Sequence, residues 1–241
     1  MNFQSKALVV FCGLLLAGVG CAPPNSDSPI RLLGARPLHS GTAAAAGAAT
    51  CEADAKLEQL EGRLDISASQ QYLIAFGQQS DLQKLSTTVQ GEVLAGPNRN
   101  DFIADQMIFQ YSSVPARPFE AETKPIYAVI AAGSNGSDGW ISLDLLAPKA
   151  AALLASSLSR GDSLQLNATF QLSGALVSGQ KLKSNTITFP IAVFNSGFTG
   201  CPAGDIPAPT GPCGGIGGQD GSPVGCCSNP TFASSCGKTT P

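Results

Sequence analysis

Cysteine is the residue type in this chain with the widest range of possible chemistry. Eight cysteines occur in 241 residues, and five of them lie after residue 200. Such thiols can form disulfides, bind zinc or carry out redox reactions. The segment after residue 200 has no C-x-x-C pair and no histidine, and the adjacent Cys226 and Cys227 have no cation beside them in the sequence. Structural disulfides are therefore favoured over a zinc site or a redox pair.

The first 20 residues have the pattern of an export signal. Lys6 precedes an apolar run over residues 7–17, about half the ~20 residues that a membrane-spanning helix needs. Small residues then lead directly to Cys21. An ordinary secretory signal followed by a chance cysteine is the alternative to a lipoprotein signal.

The end of this segment resembles the bacterial lipobox, in which the first mature cysteine receives a thioether-linked diacylglycerol and an N-acyl chain. The resemblance implies a signal peptide over residues 1–20 and a palmitate-type lipid anchor on Cys21, an anchor strong enough to hold the chain on a membrane. Gly18 departs from the Leu that is usual there. Ala22, rather than Asp, follows the cysteine, which by the same resemblance implies sorting to the outer membrane.

Six cysteines remain once Cys12 leaves with the signal and Cys21 is lipidated. In an exported chain an even number predicts up to three disulfides, with the connectivity left open. Because only one of the six lies before the tail, full oxidation requires at least one bridge between Cys51 and the tail. The candidates are Cys51, Cys201, Cys213, Cys226, Cys227 and Cys236.

Carboxylates supply the remaining candidate chemistry. Asp101 with Asp105, and Glu120 with Glu122, are spaced closely enough to suggest the paired acids of a glycoside hydrolase, if a cleft brings them together. Solvated surface charge is the favoured interpretation. Oxygen ligands for calcium could come from Asn98, Asn100, Asp101 and Asp138, but they lack the spacing of a regular calcium loop. His39, the only histidine, has nothing near it in sequence to orient its ring.

Composition excludes several classes of function. The net charge is −3, and only 13% of residues are charged, which disfavours nucleic-acid binding. No nucleophile elbow, zinc-protease helix, P-loop or dinucleotide fingerprint occurs, so no cofactor is expected and no metal site or catalytic residue is assigned.

Beyond residue 57 the hydrophobic period is two, which predicts β-strands. The strictest alternation is at 164–172, with a partner predicted at 187–193. The other predicted strands cover 64–76, 85–94, 102–111, 126–132 and 140–146. One helix is predicted from Pro148 to Ser159, ended by Gly161. The sequence therefore predicts a mainly all-β fold: an antiparallel β-sandwich or partly open barrel, with one short helix and a Cys-rich irregular tail.

The predicted organisation has four parts. The signal peptide (1–20) is followed by the lipidated cysteine and a flexible tether (21–56), whose Pro, Ser, Gly and Ala content is typical of a linker. The β-sandwich covers 57–197. A Gly/Pro/Cys-rich tail (198–241) needs disulfides because it has too few apolar residues to form a core.

The chain as a whole resembles predicted bacterial lipoproteins of the myxobacterial and deltaproteobacterial type. The resemblance depends on the lipobox, the segment from Gly62 to Ile66 with Tyr72, the segment from Ser184 to Ile191 and the Cys-rich end. It implies a location and no activity. We expect a non-catalytic binding or structural role at the cell envelope, with a protein or glycan partner. The alternative is an envelope hydrolase that uses Asp101, Asp105 or Glu120.

Overall fold

The computed structural model of the protein describes residues 28–40, 51–54, 56–85, 88–89, 92–93, 98–136, 139–207, 213, 217–222 and 224–227. Its secondary structure is mainly β, as the sequence predicts. Among the described residues the helix is α1 (Pro148–Ser157), and the strands are β1 (Ile30–Arg36), β2 (Leu38–Ser40), β3 (Cys51–Ala53), β4 (Gly62–Asp65), β5 (Leu73–Ser80), β6 (Thr88–Val89), β7 (Glu92–Val93), β8 (Phe102–Val114), β9 (Glu122–Ile130), β10 (Trp140–Asp144), β11 (Ser163–Leu176), β12 (Lys181–Lys183), β13 (Ile187–Phe194), β14 (Ile206–Pro207) and β15 (Cys226–Cys227).

Two curled sheets form a half-barrel, which confirms the predicted fold class. The larger sheet has the strand order β4-β13-β11-β8-β9, with β12 paired to β11, and the smaller has the order β1-β5-β10. Pairing is antiparallel except between β4 and β13, which run parallel. Short two-stranded ladders β2-β3, β6-β7 and β14-β15 lie outside these sheets.

Strand β11 is the centre of the larger sheet, and its sequence explains why. Its alternate apolar residues are all buried, from Leu164 to Leu176, and the residues between them face outwards. It pairs with β8 on one side and β13 on the other. The prediction of a strictly alternating strand with a partner at 187–193 is confirmed.

The core lies between the concave faces of the two sheets and is centred on aromatic rings. Phe76 of the smaller sheet packs edge-on against Phe170 of β11, with ring centroids 5.3 Å apart, and against Phe189 of β13 at 6.3 Å. Such edge-to-face pairs add to the stabilisation from burying the rings. The rings therefore join the two sheets into one core.

The predicted tether is wrong over its middle part. Residues 30–36 form β1, which pairs with β5, and Ile30 and Leu32 are almost completely buried. Sequence periodicity failed here because the pairing register shifts between Leu32 and Ala35, so the alternation of buried residues is interrupted. The β domain begins at Ile30, and not at residue 57.

Other strands differ from the prediction in extent. The segment predicted as one bent strand over 64–76 is two strands, β4 and β5, which belong to different sheets. Of the strand predicted over 85–94, the described residues contain only the β6-β7 ladder, and positions 86–87, 90–91 and 94 lie outside the described residues. In β8 the register shifts between Ala104 and Gln106, so the buried residues are Phe102 and Ala104 before the shift and Met107 and Phe109 after it.

An ion pair joins the edge strands of the two sheets. Lys124 of β9 forms an ion pair with Asp144 of β10, with Nζ and Oδ2 2.6 Å apart. The other oxygen of Asp144 accepts hydrogen bonds from the backbone N–H groups of Tyr72 and Leu146. Both Asp144 oxygens therefore help to fix the position of β10.

Gly174 allows β11 and β8 to approach closely at the irregularity in their ladder. It pairs with Ala104 where the register shifts, and a Cβ atom at this position would overlap the backbone carbonyl of Ile103. Because the backbone of Ile103 would have to move to make room for a Cβ atom, only glycine fits at position 174 without distortion.

We expect Gly174→Ala to lower the free energy of unfolding by about 1–3 kcal/mol, the usual cost of overpacking. The matched control is Gly34→Ala in β1, where a new Cβ meets its nearest atom, Glu58 Oε1, at 3.9 Å. The control should change stability by less than about 0.5 kcal/mol. Urea unfolding of both variants makes the comparison, and equal effects would contradict the packing argument.

Candidate binding face

The convex side of the larger sheet carries a group of uncharged polar side chains on β11 and on the strands beside it. We call this group the neutral face. Apolar outward residues lie among its members, namely Ile108 and Val114 of β8 and Pro190 and Ala192 of β13, and the exposed Lys181, Lys183 and Asp105 lie at its border. Each hydroxyl or amide on it can both donate and accept a hydrogen bond. Its residues are Gln110, Ser112, Gln165, Asn167, Thr169, Gln171, Ser173, Thr186 and Thr188.

A shallow groove of about 230 Å³ lies in the middle of the neutral face. Ile108 contributes its apolar part, Thr169 and Gln171 line it, and Lys183 lies at its border. Gln171 Nε2 donates to the Thr186 hydroxyl at 3.3 Å, and the Thr169 and Thr188 hydroxyls are 2.9 Å apart. These contacts orient the groups before any ligand arrives.

Tyr127 is the most exposed aromatic side chain of the described residues. It lies on β9, the edge strand of the larger sheet, and its side chain is 80% exposed. Its neighbours Ile126 and Ala128 pack against the core, so Tyr127 points to the convex side, next to the neutral face. The strand register places it two strands from Gln171, at roughly 16 Å.

The carboxylates predicted for an alternative hydrolase occupy separate places. Asp101 precedes β8, and Asp105 is exposed on β8. Glu120 pairs with Lys149 at 3.1 Å, and Glu122 accepts hydrogen bonds from the backbone N–H groups of Lys149 and Ala150 at the start of α1. Glu122 pairs with Phe109, eight residues along β8 from Asp101, which is roughly 26 Å. Glu122 therefore acts as the cap that Ala147 cannot provide.

The residues considered for calcium form a loop instead. Asp101 accepts backbone N–H bonds from Asn98 and Ala132, one on each oxygen. Asn98 Oδ1 accepts from the N–H groups of Leu85 and Asn100. Asp138 lies outside the described residues.

Neither the lone histidine nor any other group builds a metal site within the described ranges. His39 is exposed on β2, paired in register with Glu52 of β3. No three His, Cys, Asp or Glu side chains of the described chain come together as ligands.

Two disulfides join cysteines of the predicted set. Cys51 bonds to Cys213, with Cα atoms 4.8 Å apart, and thereby links the start of the domain to the tail. Cys201 bonds to Cys226, with Cα atoms 5.6 Å apart. The side chain of Cys227 and the whole of Cys236 lie outside the described residues, as does Cys21.

Between Cys213 and Cys226, residues 217–222 cross the end of the half-barrel, and we call them the strap. Gln219 is 4% exposed, and its amide both accepts from the N–H of Leu73 and donates to its carbonyl, at 2.9 and 2.6 Å. It thus fills the position beside Leu73 that β1 leaves open, because the pairing of β1 with β5 ends at Ala75. Asp220 accepts from the N–H of Arg63 and from the Tyr72 hydroxyl.

Tyr72 stays protonated in this arrangement. Burial, followed by the negative charge of Asp220, raises the pKa of its hydroxyl well above the usual value. The neutral hydroxyl is therefore the favoured form, and it donates to Asp220.

Asp65, beside the strap, is a buried carboxylate. Its Oδ1 accepts hydrogen bonds from the N–H and hydroxyl of Ser67 and from the N–H of Ser196, and its own N–H donates to Gly218. Burial alone would raise the pKa of Asp65, but the bonds from Ser196 and Ser67 together outweigh it, and the pKa lies below its usual value.

The sequence indicated a polar side of β11 but not the groups that complete the face. Tyr127 falls in the strand predicted at 126–132, in which nothing marks it as a ligand contact, and Gln219 lies in a tail without periodicity. The alternation of residues 163–173 was the available signal. For Gln219 no local signal exists, because its partner Leu73 is 146 residues away.

No protein-family model, curated protein or solved structure matches this chain. In the part of the chain that the structure describes, no helix is long and apolar enough to span a membrane.

The lowered pKa of Asp65 predicts a pH dependence of stability. Its stabilising contribution is present above the pKa of the unfolded state, about 4, and is lost as the pH falls through the lower pKa of the folded state. We therefore expect the free energy of unfolding to fall in this acid range, and to fall less steeply in Asp65→Asn. Urea unfolding at a series of pH values tests this, with Asp105→Asn as the exposed control; identical slopes in all three proteins would contradict it.

Proposed function

We propose that the protein is a lipid-anchored lipoprotein of the bacterial outer membrane that binds a neutral glycan through the neutral face. The anchor is supported by the lipobox resemblance at Cys21 and by Ala22 after it. The observation that carries the binding function is the group of uncharged hydroxyl and amide side chains along β11, with apolar side chains among them and the exposed Tyr127 beside it. The role is one of binding, without catalysis.

The chemistry of the face matches that of a sugar polymer. Sugar hydroxyls donate and accept, as do the Thr and Gln groups of the groove. A charged polymer would find few counter-charges there, since Lys183 alone borders the groove. The groove is smaller than the ~300–1,000 Å³ of enclosed ligand pockets, which favours a chain lying along the surface over an engulfed molecule.

Tyr127 extends the binding site beyond the groove. An exposed aromatic ring can stack on the apolar face of a sugar, and burying it contributes more than any single polar contact on the face. Because roughly 16 Å separates Tyr127 from Gln171, a ligand that contacts both must contain several sugar rings.

We expect the folded protein to bind neutral hexasaccharides, with chitohexaose and maltohexaose as the probes. Tyr127→Ala should weaken binding about tenfold, equivalent to about 1.4 kcal/mol, and Gln171→Ala by a few-fold. Isothermal titration calorimetry measures both. Gln83→Ala, an exposed glutamine in the 81–85 loop, is the matched control and should bind like wild type. Absence of binding to any neutral oligosaccharide, or variants that bind like wild type, would contradict the glycan proposal.

The anchor is tested separately. Wild type expressed in a bacterium with lipoprotein processing should fractionate with the outer membrane, and its intact mass should equal residues 21–241 plus the acyl chains. Cys21→Ser should leave the membrane fraction because the acceptor thiol is absent. Persistence of the variant in the membrane would show that lipidation is not what holds the protein there.

A further inference from the structure

The described chain enters the half-barrel next to one particular hairpin. Ser28 donates a hydrogen bond from its hydroxyl to the carbonyl of Lys183, and the carbonyl of Pro29 accepts from Asp81. Residues 177–183, which we call the entry hairpin, join the end of β11 to β12. The start of the domain and this hairpin thus share one end of the half-barrel.

The position of Cys21 in the sequence limits how far this end can lie from a membrane. Six residues, 22–27, separate Cys21 from Ser28. Even fully extended, the seven steps from Cys21 to Ser28 cover at most about 25 Å. Strand β11 alone is 14 residues, or about 45 Å, long. This step depends on the lipid anchor of the proposed function: an anchored chain keeps the entry end close to the bilayer, whereas the opposite end can extend well away from it.

The chemistry of the entry hairpin suits an anionic lipid surface. Lys181 and Lys183 are both exposed, Lys183 beside the groove of the neutral face, and Val177 at the tip is 41% exposed. No acidic residue occurs in the sequence between Asp162 and Asp205. Neither lysine forms an ion pair with any other described residue.

The acids that share this end are mostly engaged. Asp81 pairs with Arg31 at 3.2 Å, and both oxygens of Asp101 accept backbone N–H bonds. Asp105 lies on β8, with β11 between it and Lys183. The lysines are therefore available to lipid phosphates.

We propose that the entry hairpin contacts the anionic headgroups of the membrane that carries the anchor. Lysines close to such a surface are attracted to it, and an apolar tip such as Val177 can enter the headgroup layer. With the entry hairpin at the membrane, the strap and α1 lie at the end of the half-barrel farthest from it. The strands of the neutral face then run along the membrane normal, so a ligand reaches this face from the side.

The test uses the full lipidated protein in vesicles. The protein is reconstituted into phosphatidylethanolamine with phosphatidylglycerol, or into phosphatidylcholine alone, and flotation measures anchoring. A membrane-impermeant amine reagent then labels lysines, which mass spectrometry quantifies relative to Lys149 on α1. We expect labelling of Lys181 and Lys183 to drop about threefold or more in the anionic vesicles relative to the neutral ones, an effect that salt screens.

A double variant, Lys181→Glu with Lys183→Glu, tests the contact independently of those amines. In wild type we expect Lys84, on the neighbouring 81–85 loop, to be protected in anionic vesicles as well. The double variant should lose that protection, whereas Arg160→Glu, a charge reversal at an exposed position just after α1, should leave it unchanged. Flotation with equal labelling in both lipids would overturn the hairpin contact and leave the anchor intact. Failure to float in either lipid would overturn the anchor, and the orientation with it.

Discussion

An open half-barrel leaves strand edges whose backbone N–H and C=O groups have no strand beside them, and the fold depends on how these groups are satisfied. Buried backbone groups without partners are costly, so each edge needs donors and acceptors in the right order. Asn185 supplies them to Leu32 of β1, accepting at 2.7 Å and donating at 3.0 Å. Gln219 does the same for Leu73 of β5. A planar amide is suited to this because it carries one acceptor beside one donor, as a peptide group does.

These side-chain contacts explain why the two faces of the larger sheet differ so much. The concave face is packed with aliphatic and aromatic side chains, and its edges are satisfied by Asn185, Gln219 and Asp144. The convex face is not required for packing, so its residues are free of that constraint. That its centre, along β11, carries hydroxyls and amides, with the charges of Asp105, Lys181 and Lys183 at its border, is the basis for treating it as a recognition surface.

The sequence predicted those strands and the helix whose own residues carry the pattern of that element. Strand β11, its partner β13 and the helix from Pro148 each carry their own signal, in strict alternation or in helix-favouring residues bounded by Pro and Gly. Strand β1 was missed because Gly34 and the shifted register interrupt its pattern within seven residues. The strap was missed for a different reason: its burial comes from hydrogen bonds to residues some 150 positions earlier, which no window of sequence reveals. The number and positions of the cysteines predicted a disulfide between Cys51 and the tail. Which tail cysteine is its partner, Cys213, could be learned only from the structure.

The position of Gln219 near the end of the chain sets the order in which this domain can be completed. A chain is made from its N-terminus, so β5 is present long before residue 219 emerges. Until then the backbone groups of Leu73 have no amide to pair with, and Cys51 has no Cys213. The domain can collapse early around its aromatic rings, but the position beside Leu73 is filled only when about nine tenths of the 241 residues have been made. A chain that stops before the strap would therefore leave the N–H and carbonyl of Leu73 without their partner.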